Sequence, residues 1–196
     1  MVPAWTLQLA RGILALALGV IITLSLDHSP AFGFLVFGVF AALSGAILLV
    51  ALMRSPYSAR MRGAVLGQTV AAFVAGGFAL GAPDGDTRTL ALVVGIWALV
   101  AGVLEAVAGF VTRTSSPLGR DWLIAGVLTV VLGVIALLLP ADFVQAYEGE
   151  SGAAGTLTSS IILVGVLGAW AILVGVLQSI SAVTARTARR TPASAS

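Results

Sequence analysis

With 196 residues, 59% of them hydrophobic, only 9% charged and a mean hydropathy of +1.10, the chain falls outside soluble proteins, where about a quarter of residues are charged. The formal net charge of +2 is too small, and the basic residues too close to apolar runs, for a nucleic-acid partner. Cysteine is absent, which excludes disulfides and thiol chemistry.

Six runs are long enough to cross a bilayer, which takes ~20 apolar residues at 1.5 Å each. They are Leu7–Leu26, Ala31–Met53, Gly63–Ala82, Thr89–Val111, Trp122–Leu139 and Ser159–Val183. Each is continuously apolar rather than alternating, so the spans are helices and not barrel strands. The first run has counterparts in spans three and five, so it reads as part of the fold rather than as a leader. The longest connection, Pro140–Thr158, reads as a loop, and the polar end 184–196 as a disordered tail. One six-helix domain over residues 1–183 is expected, in repeats near 5–53, 62–111 and 121–183.

The repeat shows in the even spans as Gly38-Val39-Phe40-Ala41 with Gly45, Gly95-Ile96-Trp97-Ala98 with Gly102, and Gly168-Ala169-Trp170-Ala171 with Gly175. In the odd spans Gly12 and Gly19 match Gly126 and Gly133, while Thr69 and Gly76 take those places in span three. Three hairpins running the same way through the membrane predict parallel repetition about the membrane normal, not inverted repetition. Glycine every seventh residue leaves a bare stripe along which membrane helices pack closely, and helix packing outweighs a glycine-lined pore as its explanation.

Arginine orients the bundle. Arg11, Arg54, Arg60, Arg62, Arg113, Arg120, Arg186, Arg189 and Arg190 fall at one end. The other loops carry Asp27, Asp84, Asp86, Asp142, Glu148 and Glu150, with Arg88 their one basic residue. The positive-inside rule places both termini in the cytoplasm. Anionic headgroups of the inner leaflet are then the expected partners of the arginine-rich loops. The pairs Asp84/Asp86 and Glu148/Glu150 lack the full ligand spacing of a calcium loop and read as solvated outer surface.

Glu105 is the one carboxylate inside a span, and intramembrane ionisable groups are candidates for function because their insertion costs ~2.5–3.5 kcal/mol. The repeat places Leu48 and Gln178 at equivalent positions. Arg11, about a turn inside span one, has Gln68 as its equivalent. Glu105, Arg11, Gln68 and Gln178 thus lie at similar depth and predict a polar intramembrane cluster, with Arg11 the natural partner of Glu105 by charge. The plainer reading has Arg11 reaching the headgroups and Glu105 linking neighbouring helices. Trp97, Trp170 and Phe40 share one mid-membrane position and read as space-filling aromatics opposite glycine, or as the floor of a lipid or quinone site. Metal clusters, catalytic triads, phosphate loops and dinucleotide fingerprints are missing, so neither an enzyme nor a cofactor is expected.

The run Arg11–Ile21 resembles the opening helix of the HdeD-like family of bacterial acid-resistance membrane proteins, and Val94–Phe110 and Leu167–Val183 resemble its second-helix motif. The resemblance implies a multi-pass protein of the bacterial inner membrane, non-enzymatic, linked to envelope stress or acid tolerance. Thr69 in place of glycine and the long loop Ala141–Leu157 depart from it. A small channel or carrier with a polar path near Glu105 and an accessory subunit of a larger membrane complex are the alternatives, and the partner expected beside lipid is a second copy of the chain or that larger complex.

Overall fold

The computed structural model describes residues 4–55, 57–114, 116, 118–148 and 154–188. Six helices carry the fold: α1 (Ala4–Leu24), α2 (Pro30–Arg54), α3 (Ala59–Gly81), α4 (Thr87–Thr112), α5 (Gly119–Leu138) and α6 (Ser159–Ala188). Each is long and apolar enough to cross a membrane. Among the described residues the protein is an all-helical bundle apart from one short hairpin.

Three helices, α2, α3 and α4, begin ahead of their apolar run behind a capping side chain. Ser29 Oγ accepts from the Phe32 amide, Ser58 Oγ from Met61, and Asp86 Oδ1 from Thr89 at 2.8 Å. Each satisfies an amide that the first helical turn leaves free. Asp86, expected as plain acidic surface, is therefore the N-cap of α4. Hydrogen bonding to Thr89, first through its side chain, holds the Asp86 carboxyl below the usual range, and the bond from the Ser29 amide does the same for Asp27. A depressed carboxyl stabilises the fold above its unfolded value of 3.8 and loses that contribution only as pH falls through the lower folded value. These loop ends thus stay charged further into acid than free carboxylates.

Two expectations are corrected. The connection Pro140–Thr158 is not all loop: β1 (Val144–Glu148) pairs antiparallel with β2 (Ala154–Thr158), and Ser159 Oγ donates to the Pro140 carbonyl at 2.6 Å, tying the hairpin to α6. The disordered tail cannot begin at 184, because α6 continues to Ala188. The stretch Thr184–Ala188 is polar enough to leave the bilayer, but with Ala and Arg in it nothing breaks a helix already nucleated. The rest of that tail, 189–196, lies outside the described residues.

Neighbours around the bundle follow chain order, α1 through α6, and the ring closes where α6 packs on α1. The even helices also touch one another at the centre. Burial agrees: 50% of the apolar window of α4 lies inside the protein against 33% for α1 and for α5. The closest seams are α4 on α5, α6 on α1 and α2 on α3, so each tight contact joins an even helix to an odd helix outside its own hairpin. Glycine explains the choice. A Cβ on Gly102 would sit 2.7 Å from the Val130 amide and 2.8 Å from the Gly126 carbonyl, and one on Gly126 would strike Ala106. Gly95 and Gly133 face each other one turn-pair further along the same seam. Between α6 and α1, a Cβ on Gly175 would sit 2.7 Å from the Leu16 amide and 2.9 Å from the Gly12 carbonyl, one on Gly12 would strike Ser179, and ones on Gly19 and Gly168 would strike Ile172 and Ile22. Helices this close leave no room for a Cβ, which is what small residues permit.

The α2·α3 seam is built differently. Thr69 stands where the other odd helices have glycine, and its hydroxyl turns back to the Val65 carbonyl at 2.7 Å. Close backbone approach is kept one step along at Gly76, where a Cβ would lie 2.8 Å from the Ala42 amide and 3.1 Å from the Gly38 carbonyl. A Cβ on Gly45 would meet the Phe73 ring at 3.2 Å, where its equivalents Gly102 and Gly175 would meet backbone amides.

A candidate functional site: the central polar chamber

On the even helices Phe40, Trp97 and Trp170 come together at the centre of the bundle. Their rings contact pairwise edge to face, with centroids 5.9, 5.7 and 5.6 Å apart and interplanar angles of 85–89°. This geometry sets the positive ring edge of each against the negative face of the next. They fill the centre of the bundle, and Trp97 also lines an apolar groove between α3 and α4 with Val70, Val74, Phe78 and Ile96. On the side away from the arginine-rich ends, the next layers are Phe37, Val94 and Leu167, then Phe34, Ala91 and Val164, all buried. That half of the core is apolar throughout.

The other side of the trio is a polar chamber of about 30 Å³. The structure brings all four candidate polar residues to it. Arg11 Nη1 donates to Glu105 Oε1 at 2.9 Å and Nη2 to Oε2 at 3.2 Å, a two-pronged ion pair spanning α1 and α4. Their side chains are 18% and 7% exposed. A charge-assisted fork of this kind fixes the planes of both groups as well as their separation. Gln68 from α3 and Gln178 from α6 line the same chamber, although among the described residues neither bonds directly to the pair.

Two chamber residues escaped the sequence reading: Ser44 on α2 and Thr129 on α5. Each is a lone hydroxyl in an apolar run and gives no pattern by itself. The signal was repeat register. Thr129 lies three residues after Gly126, as Ala15 does after Gly12 and Ala72 after Thr69. Ser44 lies six after Gly38, as Ala101 does after Gly95 and Val174 after Gly168. Every residue lining the chamber occupies one of five such repeat positions.

Register also explains an unsatisfied group. Trp170 Nε1 donates to Thr129 Oγ1 at 3.1 Å, whereas Trp97 Nε1 is buried without a partner. Ala72 holds the position in α3 that Thr129 holds in α5. Ala72→Thr is therefore expected to raise the thermal stability of the detergent-solubilised protein, by about 1 kcal/mol as for a typical new hydrogen bond. A lowered midpoint would show that the Trp97 N–H does not face this position.

Aromatics near the arginine-rich ends make polar contacts. Trp122 Nε1 donates to Gln8 Oε1 at 2.9 Å, the Arg113 guanidinium lies 3.6 Å from the centre of the Phe110 ring, and Arg186 lies 5.1 Å from that of Trp5. Such pairs suit the headgroup level, where one end of a side chain is apolar and the other wet.

Fold and site together define a multi-pass helical membrane protein with a buried ion pair in a central chamber. The chain belongs to the family described as a short repeat of unknown function (DUF308), whose pattern matches residues 67–138 and 156–194, more than half of its length. The two matches cover all of α4, α5 and α6 and most of α3. No curated protein and no solved structure matches the chain.

Proposed function

We propose that the protein is a non-enzymatic, HdeD-like component of the bacterial inner membrane that supports envelope stress or acid tolerance as a sealed bundle. The observation that carries this reading is the aromatic trio. Phe40, Trp97 and Trp170 interlock across the axis beyond the ion pair, with an apolar core behind them, so the chamber does not continue as a polar route to the far side. The match to a family of short repeats and the lowered carboxyls of Asp27 and of the α4 cap Asp86 agree with it. The test is a deletion strain challenged with acid. Survival is expected to fall and to return with the wild-type gene, and unchanged survival would remove the stress role. Liposomes containing the protein should pass protons no faster than empty ones. A flux that depends on Glu105 would favour the second reading, a small carrier, for which Gln68, Gln178 and Ser44 beside the pair are the supporting observation.

The same reading includes three parallel-repeated hairpins with both termini in the cytoplasm, anionic headgroups against the arginine-rich loops, and assembly with copies of itself or a larger membrane complex as a further property. Arginine placement supports the orientation. In a chain without cysteine, Gly85→Cys should react with an impermeant thiol reagent in intact cells and Ser58→Cys only after lysis. Labelling of Ser58→Cys in intact cells would invert the topology.

A further inference from the structure

We propose that the central chamber is a binding site for a neutral, water-sized hydrogen-bonding solute, chiefly water itself, and that Gln68 and Gln178 are its binding residues. The proposal uses the membrane reading of the bundle but not its stress role. Size comes first. A chamber of about 30 Å³ has room for about two waters, at 10–15 Å³ each. Drug-sized and cofactor pockets are about ten times larger at least.

Unmet hydrogen bonding is the second point. Gln68 is 5% exposed, Gln178 3% and Ser44 7%. All three line the chamber, and among the described residues none of these side chains bonds to another protein group. Each amide brings two donors and an acceptor. Leaving such a group buried and unbonded costs ~1–3 kcal/mol, which an enclosed water repays.

Charge decides the class of solute. Arg11 and Glu105 neutralise each other, and no other ionised side chain lines the chamber. A cation or anion would add an uncompensated charge inside the bilayer, whereas a neutral donor–acceptor adds none.

Repeat register gives the fourth point. Arg11 on α1 pairs with Glu105 on α4. Advancing both positions by one repeat selects Gln68 on α3 with Gln178 on α6, and one more selects Ala125 on α5 with Leu48 on α2. The three cross-bundle sets are thus charged with charged, amide with amide, and apolar with apolar. The amide set differs from the charged one in lacking a direct bond, and a solvent molecule between the two glutamines completes it. Such water extends the hydrogen bonding of the ion pair to α3 and α6. The aromatic trio then confines exchange to the side of the arginine-rich ends.

Radiolytic hydroxyl labelling of the protein in lipid nanodiscs tests this, because radicals formed from an ordered water mark the side chains beside it. In the wild type, Phe40 and Trp170 at the chamber should be oxidised several-fold faster than Phe73 and Phe78, which face the bundle's exterior. Gln68→Leu with Gln178→Leu removes both amides without adding an easily oxidised side chain, and should reduce chamber labelling several-fold without altering Phe73. Wild-type chamber labelling no greater than that of Phe73 and Phe78 would overturn the proposal. So would unchanged labelling in a folded double variant. Should the double variant not fold, the wild-type comparison decides alone. Acid survival is not part of the readout, so failure here is distinct from failure of the stress role.

Discussion

Gly102→Leu is expected to abolish the folded bundle. The position faces backbone, not a flexible side chain: even a Cβ would approach the Val130 amide and the Gly126 carbonyl to within 2.8 Å. A branched four-carbon side chain cannot be accommodated by a rotamer change, so α4 and α5 must separate along their closest seam. Overpacking in a well-packed core costs ~1–3 kcal/mol, and contact against a fixed backbone belongs above that range. Separation would also loosen Glu105, which α4 carries on its inner face toward Arg11. Gly77→Leu is the control, because nothing lies within 4 Å of a Cβ there. Thermal unfolding in detergent should find no cooperative transition for Gly102→Leu and a nearly native midpoint for Gly77→Leu. A native midpoint for Gly102→Leu would mean that the α4·α5 seam is not closed by glycine.

Much of this architecture was legible because a bilayer imposes a coarse rule on sequence. An apolar run of about twenty residues is a span, and the caps Ser29, Ser58 and Asp86 account for the few extra residues at the starts of α2, α3 and α4. The pairing of Arg11 with Glu105 followed from charge and depth alone, since two opposite charges at one level in lipid have few alternatives to each other. What sequence did not contain was the order of helices around the axis. The glycine stripes mark a close face on each helix but do not say which partner approaches it. Gly102 meets Gly126 of the following hairpin rather than the α3 of its own. Closure of α6 on α1 is likewise a property of the ring, written in no local segment. The strands Val144–Glu148 and Ala154–Thr158 were hidden by short length and by the glycine and acidic residues between them, which read as loop. Ser44 and Thr129 were hidden by isolation, and only the threefold register of the chain exposes them.

That register also makes the ion pair movable, which is the second large expected effect. Removing one partner of a buried pair is costly because the other charge remains, about 3 kcal/mol or more, whereas removing both costs less. Arg11→Gln and Glu105→Gln should therefore each lower stability sharply, and the double variant should recover part of the loss. Gln68 and Gln178 occupy the equivalent positions one repeat further round, in the same chamber. Placing Gln68→Arg and Gln178→Glu on the double variant moves the charged set onto α3 and α6 and leaves amides on α1 and α4. The most direct measurement of the central claim, a ring of repeated hairpins around one polar chamber, is the thermal unfolding of this fourfold variant beside the single variants. Recovery to within about 1 kcal/mol of wild type, comparable with ordinary pair-to-pair variation, is the predicted result. A fourfold variant no more stable than Arg11→Gln alone would contradict the repeat geometry and with it the account of the chamber.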